Sequence, residues 1–519
     1  MSIIRSAASV GGFTSISRVL GFIRDVLVGH TLGTGAVAEA FFIAQRFPNL
    51  FRTLFAEGAF NAAFVPLFSR KLQAEGEEAA FHFAREVFAV MLAWITLFTG
   101  LAIAAMPWLI YVIAPGFKGS PEKIALATSL TQVCFPYLLF MSLTALQGGV
   151  LNSLHKFTAA AAAPILLNVV MILSNVAAWF FATGKTPLTG YIFALGVTIS
   201  GVAQYALLAT ACRNAGIPLL PMWPRLTDGV KKVIANSIPG IISGGAMQIN
   251  LVLGTIIASN LGGAVAYLYY ADRLYQLPLG IIGVAICVVL LPSLSKSLRA
   301  GDDVGALETS NRAIEFSLFL TLPAAAALMM IAAPILHTMF EHGEFTHADT
   351  LAVAPALIAY AAGLPAYSLT KVFQPGFYAR EDTRTPMIFA LVSVAVNVSL
   401  SLLLSRYMGH VGIALAATIA AWANALQLYF ELHSLGHFKF DDDLRFKLPR
   451  MVLSTAVMAI ALFDLDLFLD KNFVGGASFI SGLWGLALLV GVGALSYFAA
   501  SQLSGAWRIS ELKAALRRK

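Results

Sequence analysis

Five arginines lie inside stretches of the sequence that are otherwise apolar enough to cross a membrane: Arg18, Arg24, Arg46, Arg52 and Arg273. Each would cost about 2.5 to 3.5 kcal/mol at the centre of a bilayer, so positions facing lipid are strongly disfavoured. A guanidinium is a planar fork of donors that matches phosphate oxygens, and it cannot lose its charge to escape burial. The residue type and its setting therefore predict a wet internal cavity that binds an anionic, phosphate-bearing cargo.

The elements that must position these arginines are apolar helices. The chain has 519 residues, of which 58% are hydrophobic and only 12% charged, and its mean hydropathy is +0.79. These values exclude a soluble globular protein, because water would face too much apolar surface. About fourteen apolar segments long enough to span a bilayer recur along the chain, and none alternates as the strands of a membrane barrel do. They fall near residues 7–29, 36–66, 86–114, 124–150, 158–181, 188–211, 233–258, 264–294, 313–339, 350–375, 386–405, 411–432, 450–469 and 477–500.

The charges of the loops predict the orientation of these segments. Of the 34 lysines and arginines, roughly 23 fall in loops and tails on the side that carries the N-terminus, and about five fall in loops on the other side. This bias predicts that both termini are cytoplasmic. Because the positive charge is scattered over many short loops, the basic composition does not indicate a nucleic-acid partner.

An internal repeat predicts the domain organisation. Residues 32–38 are echoed by residues 261–266, and Ala44-Gln45-Arg46 is echoed by Ala271-Asp272-Arg273. The period is roughly 227 residues, which sets the first six segments against the next six. Six is an even number, so the two lobes should be parallel repeats about a pseudo-two-fold axis along the membrane normal, a layout suited to alternating access. We expect an all-α polytopic membrane protein with an N-lobe (1–215), a C-lobe (216–435) and a C-terminal helix pair with a cytoplasmic tail (436–519).

No enzyme motif accompanies this pattern. A Walker A sequence and a nucleophile elbow are absent, so the chain is predicted to be a carrier or channel and not an enzyme. The residues from Glu341 to His347 include potential metal ligands, but their spacing fits no helical zinc motif, and a flexible polar turn is the favoured interpretation. Residues 441–443, three aspartates, are expected in a solvated loop.

Four groups of residues resemble the signature segments of a known family. They are residues 17–25 (SRVLGFIRD), residues 47–52 (FPNLFR), residues 56–60 (AEGAF) with 64–66 (FVP), and residues 270–274 (YADRL). These segments are similar to those of the MurJ (MviN) lipid II flippase family, within the multidrug/oligosaccharidyl-lipid/polysaccharide exporter superfamily. The resemblance covers nearly the whole chain, including the two C-terminal segments.

The resemblance implies a set of site residues. Those matched to cargo binding are Arg18, Arg24, Asp25, Arg52 and Arg273, with Ser17 and Asn49 beside them in the motifs. Those expected in gating or salt bridges are Glu39, Glu57, Arg46 and Asp272. The pyrophosphate would meet a cationic cavity, and the two C-terminal segments would border a groove for the polyprenyl tail.

Helical geometry leaves two alternatives open for the arginines. Arg18 and Arg24 are six residues apart, or about 120° around a helix, and cannot point along one line. Either the cavity is wide or one of the two serves the structure. For every arginine the structural alternative is an intramembrane salt bridge that only joins helices.

The positions that match a sodium site in some relatives carry no carboxylate in this sequence. Some relatives bind sodium with carboxylates that match Leu253 and Ser401 here, beside Asn397 and Thr418. Neutral oxygens alone hold a hard cation weakly. We therefore expect no metal site and no cofactor, and we favour coupling to membrane potential or protons over sodium.

The resemblance implies a cargo and a location. The cargo would be lipid II, undecaprenyl-diphosphate-MurNAc-pentapeptide-GlcNAc, moved from the inner to the outer leaflet of the bacterial cytoplasmic membrane in support of peptidoglycan synthesis and cell shape. The alternatives are a flippase for another diphosphate-linked oligosaccharide lipid and a multidrug/cation antiporter of the same superfamily. Expected partners are lipid II, membrane lipids and peptidoglycan synthesis proteins, and the chain is expected to act as a monomer.

Overall fold

The computed structural model describes residues 3–53, 59–182, 184–473 and 479–507. Within these ranges the chain forms eighteen α-helices and a short 3₁₀ helix at Pro115–Gly119, with no strand. The α-helices are α1 (Ile3–Leu32), α2 (Ala36–Arg52), α3 (Ala59–Glu75), α4 (Glu77–Ile113), α5 (Pro121–Cys134), α6 (Tyr137–Ser153), α7 (Thr158–Phe181), α8 (Pro187–Asn214), α9 (Asp228–Ser259), α10 (Ala264–Arg299), α11 (Asp303–Met330), α12 (Ala332–Phe340), α13 (His347–Ala361), α14 (Leu364–Tyr378), α15 (Arg384–Met408), α16 (His410–Ser434), α17 (Asp442–Phe473) and α18 (Phe479–Ser504). The prediction of an all-α polytopic membrane protein is confirmed.

Eighteen helices arise from about fourteen predicted segments because four of those segments are each divided into two helices. The divided segments give α2 with α3, α5 with α6, α11 with α12, and α13 with α14. Pro136 separates α5 from α6, since it has no N–H to donate and its ring crowds the preceding turn. Pro334 and Pro365 each occupy the first turn of the helix that follows a break, where a missing N–H is no loss.

Ten spans of the described chain are long and apolar enough to cross a membrane, and two of these spans are the broken pairs α5–α6 and α13–α14. Three of the helices outside that set, α1, α2 and α10, are those that carry the five arginines. In α1 the charges of Arg18, Arg24 and Asp25 lie close together and lower the hydropathy of that helix.

The chain forms two compact units. Unit 1 comprises Met1–Ala266 with His342–Phe345, and unit 2 comprises Tyr267–Glu341 with Thr346–Lys519. Helix α9 thus belongs to unit 1, although the repeat assigns the same stretch to the C-lobe. Compactness and repeat symmetry are different criteria, and the repeat-based boundaries at residues 215 and 435 stay a prediction.

Unit 1 is held together by aromatic packing. Helix α1 packs on α7, α6 and α7 pack on α8, α2 packs on α5, and α3 packs on α9. Phe64 stacks on both Phe68 and Phe83, with ring centroids 5.5 and 5.9 Å apart, which joins α3 to α4. Phe41 and Phe193 make a similar contact between α2 and α8 at 5.5 Å. These side chains are almost completely buried, so they fix α2, which carries Arg46 and Arg52, and its neighbours in unit 1.

Unit 2 includes the C-terminal helix pair. Helix α17 packs on α18 and on α11, and α14 packs on α11 and α16. In the first half of α11, Arg312 pairs with Glu315, Asp441 and Asp443. Lys447 completes the cluster at 2.7 Å from Glu315. Residues 441–443 are at least partly exposed, as expected of a solvated segment, but Asp442 and Asp443 begin α17, and Asp441 and Asp443 compensate a cation on α11.

Side chains satisfy the backbone carbonyls that prolines leave open within the helices. Pro107 has no N–H, so the carbonyl oxygen of Ile103 in α4 receives no helical hydrogen bond. Nε2 of Gln132 in α5 donates to that oxygen at 3.0 Å. In lipid no water can replace such a bond, so the neighbouring helix must supply the donor.

The same arrangement ties α18 to unit 2. Pro323 in α11 leaves the carbonyl of Phe319 without its helical donor, and the Tyr497 hydroxyl of α18 donates to it at 2.8 Å. The rings of Phe319 and Tyr497 also pack together, with centroids 5.2 Å apart. Tyr497 therefore docks the C-terminal pair through both its ring and its hydroxyl.

We predict that Tyr497→Phe lowers the stability of the purified protein by about 1 kcal/mol, because it removes the hydroxyl and keeps the ring. Pro323→Ala restores the backbone N–H, so in that background the same substitution should cost much less. Thermal unfolding of the four variants in detergent measures the coupling, with Tyr407→Phe, whose residue is 81% exposed, as the control. Equal losses in both backgrounds would contradict this role for the hydroxyl.

Candidate functional site

Arg24 is the centre of a buried polar cluster in unit 1. Its Nε and Nη2 donate to Oδ1 of Asp25 at 3.0 and 2.8 Å, and its Nη1 donates to Oδ1 of Asn168 at 2.9 Å. Asn168 in turn donates to the backbone carbonyl of Ser17 at 2.7 Å. Arg24 is 8% exposed and Asp25 4%. The cluster joins α1 to α7, and its charges are compensated within unit 1.

Arg18 has a different environment on the same helix. It is half-buried, and it makes no hydrogen bond or ion pair with any residue that the structure describes. The angular separation of about 120° from Arg24 explains this, since only one of the two can face α7. Arg24 therefore forms its ion pair with Asp25 on the same helix and is joined to α7 by Asn168, whereas Arg18 makes no polar contact among the described residues.

Helix α2 carries the next two arginines. Nη1 of Arg46 donates to the Thr255 hydroxyl of α9 at 3.3 Å, and Nε of Arg52 donates to Oδ1 of Asn49 at 2.7 Å, one turn earlier. Both arginines are half-buried. Arg46 thus lies against α9, whereas Asn49 orients the guanidinium of Arg52.

Glu39 is the most deeply buried carboxylate of this group, at 2% exposed. It pairs with Lys123 in the first turn of α5, and it accepts a hydrogen bond from the backbone N–H of Val265 at 3.3 Å. Lys123 also lies 3.8 Å from the ring centroid of Phe117. The salt bridge expected of Glu39 is present, and its partner is Lys123. Glu57 lies outside the described residues.

In unit 2, Arg273 and Asp272 lie on α10. The guanidinium carbon of Arg273 is 4.7 Å from the ring centroid of Tyr269, a distance at which the ring face stabilises the cation. Asp272 accepts a hydrogen bond from Gln276, one turn along the helix. The ring of Tyr269 therefore orients Arg273, and the amide of Gln276 orients Asp272.

Two of the residues considered for a sodium site donate hydrogen bonds to other protein groups in this structure. The Thr418 hydroxyl donates to the carbonyl of Ala359 at 2.6 Å, and the Ser401 hydroxyl donates to Oδ1 of Asn397 at 3.4 Å. Ala359 lies just before the break between α13 and α14, so its carbonyl lacks a regular helical donor. Leu253 lies on α9, in unit 1.

Sequence reasoning missed Asn168 as a partner of Arg24, although a signal was present. Asn168 and Asn175 are seven residues apart on α7, and Arg24 and Thr31 are seven apart on α1. Asn168 binds Arg24, and Asn175 accepts from the Thr31 hydroxyl at 3.2 Å. Polar residues at this spacing mark one face of an apolar helix, and the two faces meet.

Comparisons with known proteins agree with this architecture. A family model described as "Lipid II flippase MurJ" matches residues 28–483. The chain is 44% identical over 521 residues to a probable lipid II flippase MurJ of Rhizobium tropici, covering 100% of this chain and 97% of that protein. It is 34% identical over 450 residues to the lipid II flippase MurJ of Burkholderia cenocepacia, covering 85% of each.

Solved structures give the same result for the fold. A lipid II flippase MurJ in an inward closed conformation matches with a TM-score of 0.78 and 26% identity, over 95% of this chain and 98% of that chain. An inward-facing MATE transporter of the MOP superfamily matches with a TM-score of 0.67 at 16% identity, over 83% of this chain and 99% of that one, which shows a shared fold alone. Because the family model spans most of the sequence and the Rhizobium protein matches its whole length, the chain belongs to the MurJ family of lipid II flippases.

Proposed function

We propose that this chain moves lipid II from the inner to the outer leaflet of the bacterial cytoplasmic membrane by alternating access, and that Arg18 binds the diphosphate of the cargo. As a lipid II flippase it is a transporter and not an enzyme. The observation that carries the assignment of Arg18 is the contrast within α1, where Arg24 is compensated by Asp25 and Asn168 and Arg18 has no polar partner among the described residues.

The charge of the first two helices supports an anionic cargo. Between residues 11 and 52 there are four arginines and two carboxylates, a difference of +2, and Lys123 compensates one of those carboxylates, Glu39. Both phosphates of a diphosphate diester are negatively charged, and a guanidinium binds such oxygens through two parallel hydrogen bonds. Arg52, oriented by Asn49, would supply a second donor from α2. A multidrug/cation antiporter would need an acidic site, and this excess of arginine does not favour it.

A cavity in unit 2 supports a site for the lipid tail. Its volume is about 240 Å³, and apolar residues of α11, α17 and α18 line it, among them Leu320, Leu462 and Val490. An isoprenoid chain has no polar group to satisfy, so a lining of this kind suits it. We propose that this cavity binds part of the polyprenyl tail.

The orientation and the assembly belong to the same proposal. The excess of lysine and arginine in alternate loops supports two cytoplasmic termini. We propose that the protein acts as a monomer beside the proteins of peptidoglycan synthesis.

We predict that this chain restores growth and outer-leaflet lipid II in a bacterium depleted of its own flippase. The measurement is cleavage of lipid II by a membrane-impermeant enzyme added to intact cells, since only outer-leaflet lipid II is accessible to it. Continued wall synthesis in a native host depleted of this protein would contradict the function, and so would accumulation of a different diphosphate lipid.

We predict that Arg18→Lys lowers flipping about tenfold and leaves thermal stability unchanged, because the lysine keeps the charge and loses the bidentate fork. Arg24→Lys should lower both flipping and stability, since it loses hydrogen bonds to Asp25 and Asn168. The exposed Arg70 provides the matched control, Arg70→Lys. Normal flipping by Arg18→Lys at equal expression would remove Arg18 from the binding site.

We predict that replacing external sodium with choline leaves lipid II export unchanged, whereas collapse of the membrane potential stops it. Leu253 and Ser401 bring no carboxylate to the presumed sodium position, and neutral oxygens alone bind the ion weakly. A charged cavity instead couples to the field with about 2.3 kcal/mol per elementary charge per 100 mV. Outer-leaflet lipid II, measured under each treatment, distinguishes coupling to sodium from coupling to the membrane potential. Export that depends on sodium and does not change with the potential would refute coupling to the potential.

A further inference from the structure

Two histidines and a glutamate meet where α12 ends and α13 begins. His337 lies in the last turn of α12, Glu341 follows its last residue, and His347 is the first residue of α13. Nδ1 of His337 is 3.0 Å from Oε2 of Glu341, and Nδ1 of His347 is 3.1 Å from Oε1 of the same carboxylate. One potential ligand atom from each of the three residues lies within 4.8 Å of the other two.

The surrounding residues hold the carboxylate in place. The Thr350 hydroxyl donates to Oε2 of Glu341 at 2.7 Å. Thr346 and Asp349 form a capping box that fixes the start of α13, and with it the position of His347. The side chain of Glu341 is 14% exposed, while those of His337 and His347 are 46% and 68% exposed. The cluster therefore combines a fixed acceptor with two imidazoles that solvent can reach.

The geometry suits a small divalent ion. Two ligand atoms that are each about 2.0 Å from a tetrahedral zinc ion are about 3.3 Å apart. Oε2 of Glu341 lies 3.0 Å from Nδ1 of His337 and 3.2 Å from Nδ1 of His347, close to that value. Two imidazole nitrogens and one carboxylate oxygen favour zinc over calcium or magnesium, which prefer oxygen ligands alone. Thr350 would act as the outer partner that orients the carboxylate.

We propose that His337, Glu341 and His347 bind a zinc ion that joins the end of α12 to the start of α13, with water in the fourth position. The sequence favoured a polar turn here, because it did not show that His337 returns to the loop. The site stabilises unit 2 and is independent of the cargo, so it does not rest on the assignment of the protein as a flippase.

Metal content tests the proposal directly. The full chain, purified without a polyhistidine tag, is stripped with a chelator, incubated with zinc chloride and desalted, and the retained zinc is measured by mass spectrometry. We expect about one zinc ion per chain and a higher unfolding temperature with zinc than without. Cobalt in the same site should give the visible absorption of a four-coordinate ion.

Substitutions locate the site. His337→Ala and His347→Ala should each reduce the retained zinc to background. His82 provides a matched control. Like His337, it pairs with a glutamate four residues later, with Nδ1 of His82 3.6 Å from Oε1 of Glu86. Unlike His337, it belongs to no three-ligand cluster among the described residues. His82→Ala should retain zinc as the unaltered chain does.

A measurement on the unaltered chain covers the case in which a variant fails to fold. Zinc should protect His337 and His347 from modification by diethyl pyrocarbonate, read for each peptide by mass spectrometry, and it should leave His82 reactive. Two results together would overturn the proposal. The unaltered chain would retain no more zinc than His337→Ala/His347→Ala, and zinc would not change the modification of His337 and His347. The three residues would then form a hydrogen-bonded cluster only.

Discussion

A polar group inside a lipid bilayer has no water to bind, so the protein must supply a partner for each one. A regular helix pairs its own backbone N–H and C=O groups. A proline or a helix break leaves a carbonyl without its helical donor. In this protein the carbonyls left open at Ile103 and Phe319 receive hydrogen bonds from Gln132 and Tyr497, each on a different helix. The prolines within the helices are therefore also points where one helix is attached to another.

The same constraint applies more strongly to charge. Arg24 and Glu39 are almost completely buried. Arg24 pairs with Asp25 and also donates a hydrogen bond to Asn168. Glu39 pairs with Lys123 and also accepts a hydrogen bond from the backbone N–H of Val265. Burying such an ion pair gives little net stability, although removing one partner is costly. Among the described residues Arg18 has no polar partner, and this contrast is what supports the proposal that it binds the cargo.

A shared fold does not determine the cargo. The MATE transporter matches this chain with a TM-score of 0.67 at 16% identity, so the two proteins have similar helices with mostly different side chains. The helices of this family are suited to transport, whereas the choice between an organic cation and a diphosphate lipid depends on the residues that line the site. In this chain the residues proposed for that role are arginines, as the family motifs imply.

The sequence by itself determined the class of the protein, the number of its apolar segments and the residues of interest, because apolar length, loop charge and short motifs are local properties. It also restricted Arg18 and Arg24 to different faces of one helix. Only the tertiary structure decided which of the two is joined to another helix, since the amide that binds Arg24 comes from Asn168, 144 residues away. The same holds for the glutamate at 341 and its two histidines, which a helix end and a helix start bring together. Periodicity shows which face of a helix is polar, but the partner of that face depends on which helices pack against each other.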